Sequence, residues 1–195
     1  MKERKKERGR EKFQRNRNLL KILTIYYSIF PRTFRMKLLI FHRKTTGIFG
    51  IAIRYALLKT LVKSLGDNVS IQPDVYLLNV HNLEIGNNVS IHPMCYIEAF
   101  GNVCIGDDVS IAHGVTILSV SHEYGDISIP IKDQGILCRK TDISNNVWIG
   151  AKATILYGTK ISEGSIIAAN SVVNKDTEPF TINGGMPTKI LKKRN

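Results

Sequence analysis

From Leu65 onward the chain keeps a six-residue period that few folds can satisfy. Leu65, Ile71, Leu77 and Leu83 form one series, Ile85, Ile91, Ile97 and Val103 a second, and Ile105, Ile111 and Ile117 a third, with a two-residue slip at each change of series. The period stops over "SVSHEYGDISIP", residues 119–130, and returns at Ile143 to run through Ile149, Ile155, Ile161, Ile167 and Val173. An amphipathic helix repeats its apolar residues every 3.6 positions and a half-buried strand every second one, so neither explains the pattern. A β-solenoid does, because each short side contributes one aliphatic residue that is buried only when coils stack on one another. Asn and Asp pairs in "IGNNVS" and "IGDDVS" fall where such a backbone must turn. Three sides of six residues close each coil into a triangular prism.

The rows "IGDDVSIAHGVTI" and "ISNNVWIGAKATILYGTKISEGSIIAANSVVNKD" resemble the hexapeptide-repeat acyltransferases. The nearest pattern is the galactoside and maltose O-acetyltransferase branch, carried from about Gly86 to the C-terminus by "SVSHEYGD", "NNVWIGAKATI", "SVVNKD" and "GGMPTKI". The resemblance implies a mainly β fold, a left-handed parallel β-helix, assembled as a homotrimer with active sites between subunits and acetyl-CoA as co-substrate. The chain then divides into a basic, helical N-terminal segment (1–64), the β-helix domain (65–177) with an extruded loop (119–142), and a tail (178–195) that covers the last coil.

A solenoid can extrude a loop at a corner because closure entropy grows slowly with loop length, and long loops in compact domains are commonly functional. His122 stands just past this break. Acetyl transfer from a thioester to a sugar hydroxyl needs a group that is basic near neutral pH without being permanently charged, which imidazole provides. In the family the loop histidine is the catalytic base, and His122 matches it. His92 aligns with an asparagine that contacts the acceptor in the sugar acetyltransferases, and Phe100 replaces an acidic acceptor-side residue; both departures argue against a simple galactoside or maltose as substrate. His81 and His113 fall at solvated corners.

On the donor side, Ala151 and Ala169 match family positions whose backbone touches coenzyme A, and Asn174 and Lys175 match the next. Lys189 and Lys192 occupy positions that are basic in the family and meet the nucleotide phosphates; lysine there keeps the charge but lacks the bidentate fork of arginine. Trp148 matches an aromatic beside acceptor and thiol, with packing between subunits as the alternative. These matches imply an O-acetyltransferase acting on a sugar, polysaccharide or lipid-linked glycan. Ala99 stands where serine acetyltransferase has its active histidine, against that relative. An N-acetyltransferase of an amino-sugar nucleotide, a noncatalytic scaffold and a metal-dependent hydratase using His92, His113 and His122 are the alternatives. No metal site is expected.

Charge is concentrated at the front: residues 1–63 hold 18 Lys/Arg against 3 Asp/Glu, and residues 64–195 hold 10 against 13. Such a segment is a solvated tail, a nucleic-acid arm or a contact for anionic lipid. "MKERKKERGREKFQRNRN" mixes acid with base and has no nucleic-acid-reading motif, which disfavours the second. "LLKILTIYYSIF" and "MKLLIF" interleave apolar and basic residues, which favours the third. Lys21, Arg32 and Arg54 interrupt every apolar run before it reaches spanning length, and the charged start is unlike a signal peptide. A cytoplasmic chain, peripheral at the inner membrane face, is expected. Cys95, Cys104 and Cys138 lack metal or redox-pair spacing, and Cys95 and Cys104 are expected to be small apolar fillers.

Overall fold

The computed structural model describes residues 9–194. Residues 1–8 of the basic segment and Asn195 lie outside the described residues. Three helices, α1 (Gly9–Ser28), α2 (Arg32–Phe41) and α3 (Gly47–Lys59), precede a parallel solenoid. Its first sheet stacks Ser64–Leu65, Leu83–Ile85, Val103–Ile105, Thr141–Ile143 and Lys160–Ile161. The second stacks Ser70–Ile71, Ser90–Ile91, Ser110–Ile111, Trp148–Ile149 and Ile166–Ile167, then Thr181–Gly184 and, antiparallel, Lys189–Lys193. The third stacks Tyr76–Leu78, Tyr96–Glu98, Thr116–Leu118, Thr154–Ile155 and Val172–Val173. The fold is the expected parallel β-helix with N-terminal helices. No helix among the described residues is long and apolar enough to cross a membrane.

Register explains the slips in the sequence period. Ile71 pairs with Ile91 and Ile91 with Ile111, a coil of twenty residues each time, whereas Ile149 pairs with Ile167 across eighteen. Both slips fall at the corner between the third and first sheets, so Leu83 and Ile85, and Val103 and Ile105, are buried together in single strands. The head residues of the rows line the interior: Ile71, Ile91, Ile111, Ile149 and Ile167 from the second sheet, and Ile97, Ile117, Ile155 and Val173 from the third. Cys95 continues this core between Val75 and Val115 as expected. Cys104 does not. It lies between inward Val103 and Ile105, so strand alternation turns it outward, half-buried beside Glu84 and Asp142 on the first sheet.

The corners account for the Asn and Asp doublets. Between the first and second sheets Asn68, Asn88, Asp108, Asn146 and Gly164 all take positive φ, from 56° to 69°, a conformation that Asn, Asp and Gly tolerate best. The residue before each forms a ladder: Asn87 Oδ1 accepts from Asp67 N (2.8 Å), Asp107 Oδ1 from Asn87 N (2.5 Å) and Asn145 Oδ1 from Asp107 N (2.8 Å). One member of each doublet therefore bends the chain and the other ties successive coils.

The ends of the prism are closed by different chemistry. Within the stack, the inward residue's carbonyl accepts from the coil before it, as Ile85 O does from Gly66 N and Ile91 O from Gln72 N. The first coil has no predecessor, and α3 supplies the missing donors: Arg54 Nε to Ile71 O (2.9 Å), Lys59 Nζ to Leu65 O, and Tyr55 Oη to Gly66 O (3.2 Å). Arg54 also donates to His42 O (2.9 Å) and Thr45 O (2.7 Å), fixing the connection from α2 to α3, while Leu57, Leu58 and Leu61 cover the core. At the other end Ser165, Ser171 and Thr177 replace aliphatics. Ser165 Oγ lies 3.1 Å from Thr177 Oγ1 and donates to Glu178 O.

Candidate active site

The chain leaves the prism after Ser119 and rejoins it at Thr141, inside the 119–142 span. The excursion is a hairpin in which Val120–His122 pairs antiparallel with Ile136–Cys138, placing His122 opposite Ile136. Its root is a buried polar network. Ser119 Oγ donates to Glu98 O (2.8 Å) and accepts from Gly101 N (2.9 Å), and Glu98 Oε1 accepts from Phe100 N (2.6 Å) and Asn79 Nδ2 (3.0 Å). Thr141 Oγ1 donates to Leu118 O (2.7 Å), and Arg139 N to Ser119 O (3.1 Å), clamping the two ends together. At the tip, Asp126 accepts from Ser128 N (2.8 Å) and Oγ (2.6 Å), hydrogen bonds that hold its carboxyl below the usual range. Gln134 braces the turn through Asp126 O and Ile129 O. His122 is exposed on this scaffold.

Of the residues expected to meet the donor, Ala151, Ala169, Lys189 and Lys192 lie about another corner, between the second and third sheets, whereas Asn174 and Lys175 follow the third sheet in the columns of Leu118 and Ser119, on the hairpin's own corner. Register aligns His92, Ala112, Gly150, Ala168 and Gly184 in one column, and Pro93, His113, Ala151 and Ala169 in the next. Beyond His92, Pro93 and His113 the result is a strip of small residues, with Ala169 exposed and Gly150 and Gly184 buried. A Cβ on Gly150 would come within 2.6 Å of Ala169 N, so glycine permits this close stacking. Trp148, 52% exposed, projects outward from the second sheet two residues before Gly150. Lys189 pairs with Gly184 at the end of the strip, and Lys192 with Ile182, in line through Ile166 with Trp148. Asn174 and Lys175 are exposed after the last strand of the third sheet.

The structure thus gathers Ala151, Ala169, Trp148, His92 and Lys189 along one corner and its flank. His122 stands at the opposite edge of the third sheet. Among the described residues no cluster of three or more His, Cys, Asp or Glu could hold a metal ion. The hairpin-root residues Glu98, Ser119 and Thr141 were not anticipated from the sequence; their signal was the appearance of buried polar side chains at the interruption itself.

Such a solenoid, with one corner hairpin and a smooth small-residue strip, defines the class of hexapeptide-repeat proteins, and residues 140–175 match the family described as bacterial transferase hexapeptide (six repeats). Within that class the chain is similar to galactoside and maltose O-acetyltransferases. It is 29% identical to the galactoside O-acetyltransferase of Escherichia coli K12 over 143 residues, 73% of this chain and 69% of that one. The hexapeptide-repeat acetyltransferase of Vibrio cholerae, solved in complex with acetyl-CoA, is similar with a TM-score of 0.75 and 29% identity, covering 84% of this chain and 87% of that one. A shorter match, 50% identical over 54 residues, is to a chloramphenicol acetyltransferase of Klebsiella aerogenes, covering 28% of this chain and 26% of that one. The chain spans about a quarter of the length of the first curated relatives it matches.

Proposed function

We propose that the protein is an acetyl-CoA-dependent O-acetyltransferase that acts on a hydroxyl of a sugar or glycan, with His122 as general base. The observation that carries this reading is the interruption of the coils, which raises an exposed imidazole on a hairpin rooted in a buried hydrogen-bond network. A noncatalytic solenoid has no need of so firmly anchored a histidine. His122 removes the acceptor hydroxyl's proton as its oxygen bonds to the acetyl carbon, the carbon–sulfur bond breaks, and the same proton passes to the departing thiolate. Backbone N–H groups at the corner steady the negative charge that develops on the carbonyl oxygen.

The strip through Gly150, Ala168 and Gly184 suits the thin pantetheine arm of acetyl-CoA, with Ala151 and Ala169 offering backbone contacts there and Asn174 offering one from the hairpin's corner. Lys175, Lys189 and Lys192 are exposed cations for its phosphates. Trp148 and His92 face the acceptor. In a single copy the base and the donor strip occupy different corners, and the hairpin carries the exposed apolar residues Tyr124, Ile127, Ile129, Ile131 and Ile136. A neighbouring copy in a homotrimer covers such residues and brings His122 to the donor strip. The longer galactoside acetyltransferase alignment favours a sugar acceptor over the drug acceptor suggested by the shorter match.

The test is a screen of purified protein and acetyl-CoA against free sugars, sugar nucleotides, lipid-linked glycans and chloramphenicol, reading thiol release. Release with a glycan hydroxyl acceptor is expected. No release with any acceptor, together with no rise in Tm on adding acetyl-CoA, would favour the scaffold alternative.

A further inference from the structure

The helical segment has two apolar faces, and the solenoid uses one. Phe13, Leu20 and Tyr27 of α1 pack inward, while Leu19, Ile22, Tyr26 and Ile29, spaced three and four residues apart on the opposite side, are exposed, Ile29 by 75%. The exposed surface continues beyond α1. Tyr26 stacks edge-on with Phe30 (5.4 Å between centroids) and Phe30 meets Phe34 of α2 (5.2 Å), whose outward side adds Ile40 and Phe41, the latter 78% exposed. At the other end of α1, Leu19 shares a groove of about 870 Å³ with Ile48 and with Phe49, 79% exposed, at the start of α3.

The charge around this surface is almost all of one sign, Glu11 in the first turn of α1 being the one carboxylate in the three helices. Between Lys12 and Gly66 the chain contains 12 Lys/Arg and no Asp or Glu. Lys21, Arg32, Lys37 and Lys44 are exposed among the apolar residues. Other basic residues of the segment are occupied structurally: Arg54 caps the first coil, and Arg10 and Arg17 pair with Asp108 and Asp67 on the Asn/Asp corner, which fixes α1 against the prism. A second copy docked on the same face would bring these cations together. An anionic lipid surface instead meets both properties, since aromatic and aliphatic side chains enter the headgroup boundary while lysine and arginine engage the negative charge.

We propose that the outward face of α1, α2 and the start of α3 docks the protein on membranes containing anionic lipid. This goes beyond the acetyl-transfer reading and does not depend on it. The test is co-sedimentation of the full chain with vesicles of phosphatidylglycerol and phosphatidylcholine, and with phosphatidylcholine alone. Binding to the anionic vesicles at low salt is expected, weakened at about 0.5 M salt by screening, with little binding to neutral ones. Lys21→Glu and Lys37→Glu should each weaken binding by about fivefold or more, and Ile22→Asp with Phe41→Asp by about tenfold or more, with far-UV circular dichroism unchanged. Equal partition onto both vesicle types, or unchanged binding by variants that remain folded, would overturn the proposal. So would a loss of oligomeric state in the Ile22→Asp, Phe41→Asp variant, which would assign the face to a second copy.

Discussion

Arg54 shows how a single side chain can decide where a repeat begins. It is buried, 2% exposed, and that burial pushes its guanidinium below the usual value, yet its Nε fills the Ile71 carbonyl that no coil precedes while Nη1 holds the 42–45 connection. Each buried carbonyl left unpaired costs on the order of 1–3 kcal/mol. Arg54→Met should therefore cost about 3 kcal/mol, lowering Tm by roughly 6–12 °C, and a change under about 2 °C would show that the cap does not hold the first coil. Its role was illegible in the sequence, because the period shows that the first coil starts at Leu65 but not which residue of the preceding helices caps it. The cysteines divide similarly. Burial raises the Cys95 thiol to about 11, whereas Cys138 is exposed on the hairpin. Thiol titration at pH 8 should modify Cys138 readily and Cys95 only on unfolding. Because the folded-state value lies above the ordinary value of 9.0, the protonated thiol's contribution to stability is intact below about pH 9 and declines as pH rises towards 11. Cys104 was misjudged as a filler because its row neighbours Val103 and Ile105 are both inward, an arrangement created by the two-residue slip.

At the scale of elements, the prism was legible and the anchoring of its hairpin was not. The aliphatic heads gave the stack, and the Asn/Asp doublets gave its corners, because those residues bend into positive φ where other side chains resist. Glu98 lay in a strand row where an acid normally faces solvent; instead it is buried, 7% exposed, through three convergent hydrogen-bonding neighbours. The hairpin should depend on it. Glu98→Ala leaves Phe100 N and Asn79 without their acceptor, so amide exchange across Val120–Cys138 should speed up while the coils stay protected. If His122 is the base, the turnover rate should fall by about tenfold or more with acetyl-CoA affinity unchanged. Unaltered exchange in the hairpin would mean that Thr141 and the strand pairing suffice to hold it. Lys175→Ala, at a proposed phosphate contact, should do the reverse, weakening acetyl-CoA binding while the rate at saturation stays near that of the parent.

At the scale of the whole molecule, function is a matter of which surfaces a single copy leaves open. The proposed donor strip and His122 bound opposite edges of the third sheet, and the apolar tip of the hairpin is exposed among the described residues. Light scattering at micromolar concentration should give a trimer, and a monomer would count against a shared site. The acceptor was the least legible feature, because the residues proposed to face it, His92 and Trp148, would supply polarity and an aromatic wall without a shape that selects one sugar. The central claim, acetyl transfer through His122, is tested most directly by the rate of thiol release from acetyl-CoA by the wild-type protein and by His122→Ala. Loss of a general base predicts a rate lower by about 10² to 10⁴ with acetyl-CoA binding and trimer intact. A rate within a few-fold of wild type would contradict the account and move the base elsewhere, with His92 the next residue to substitute.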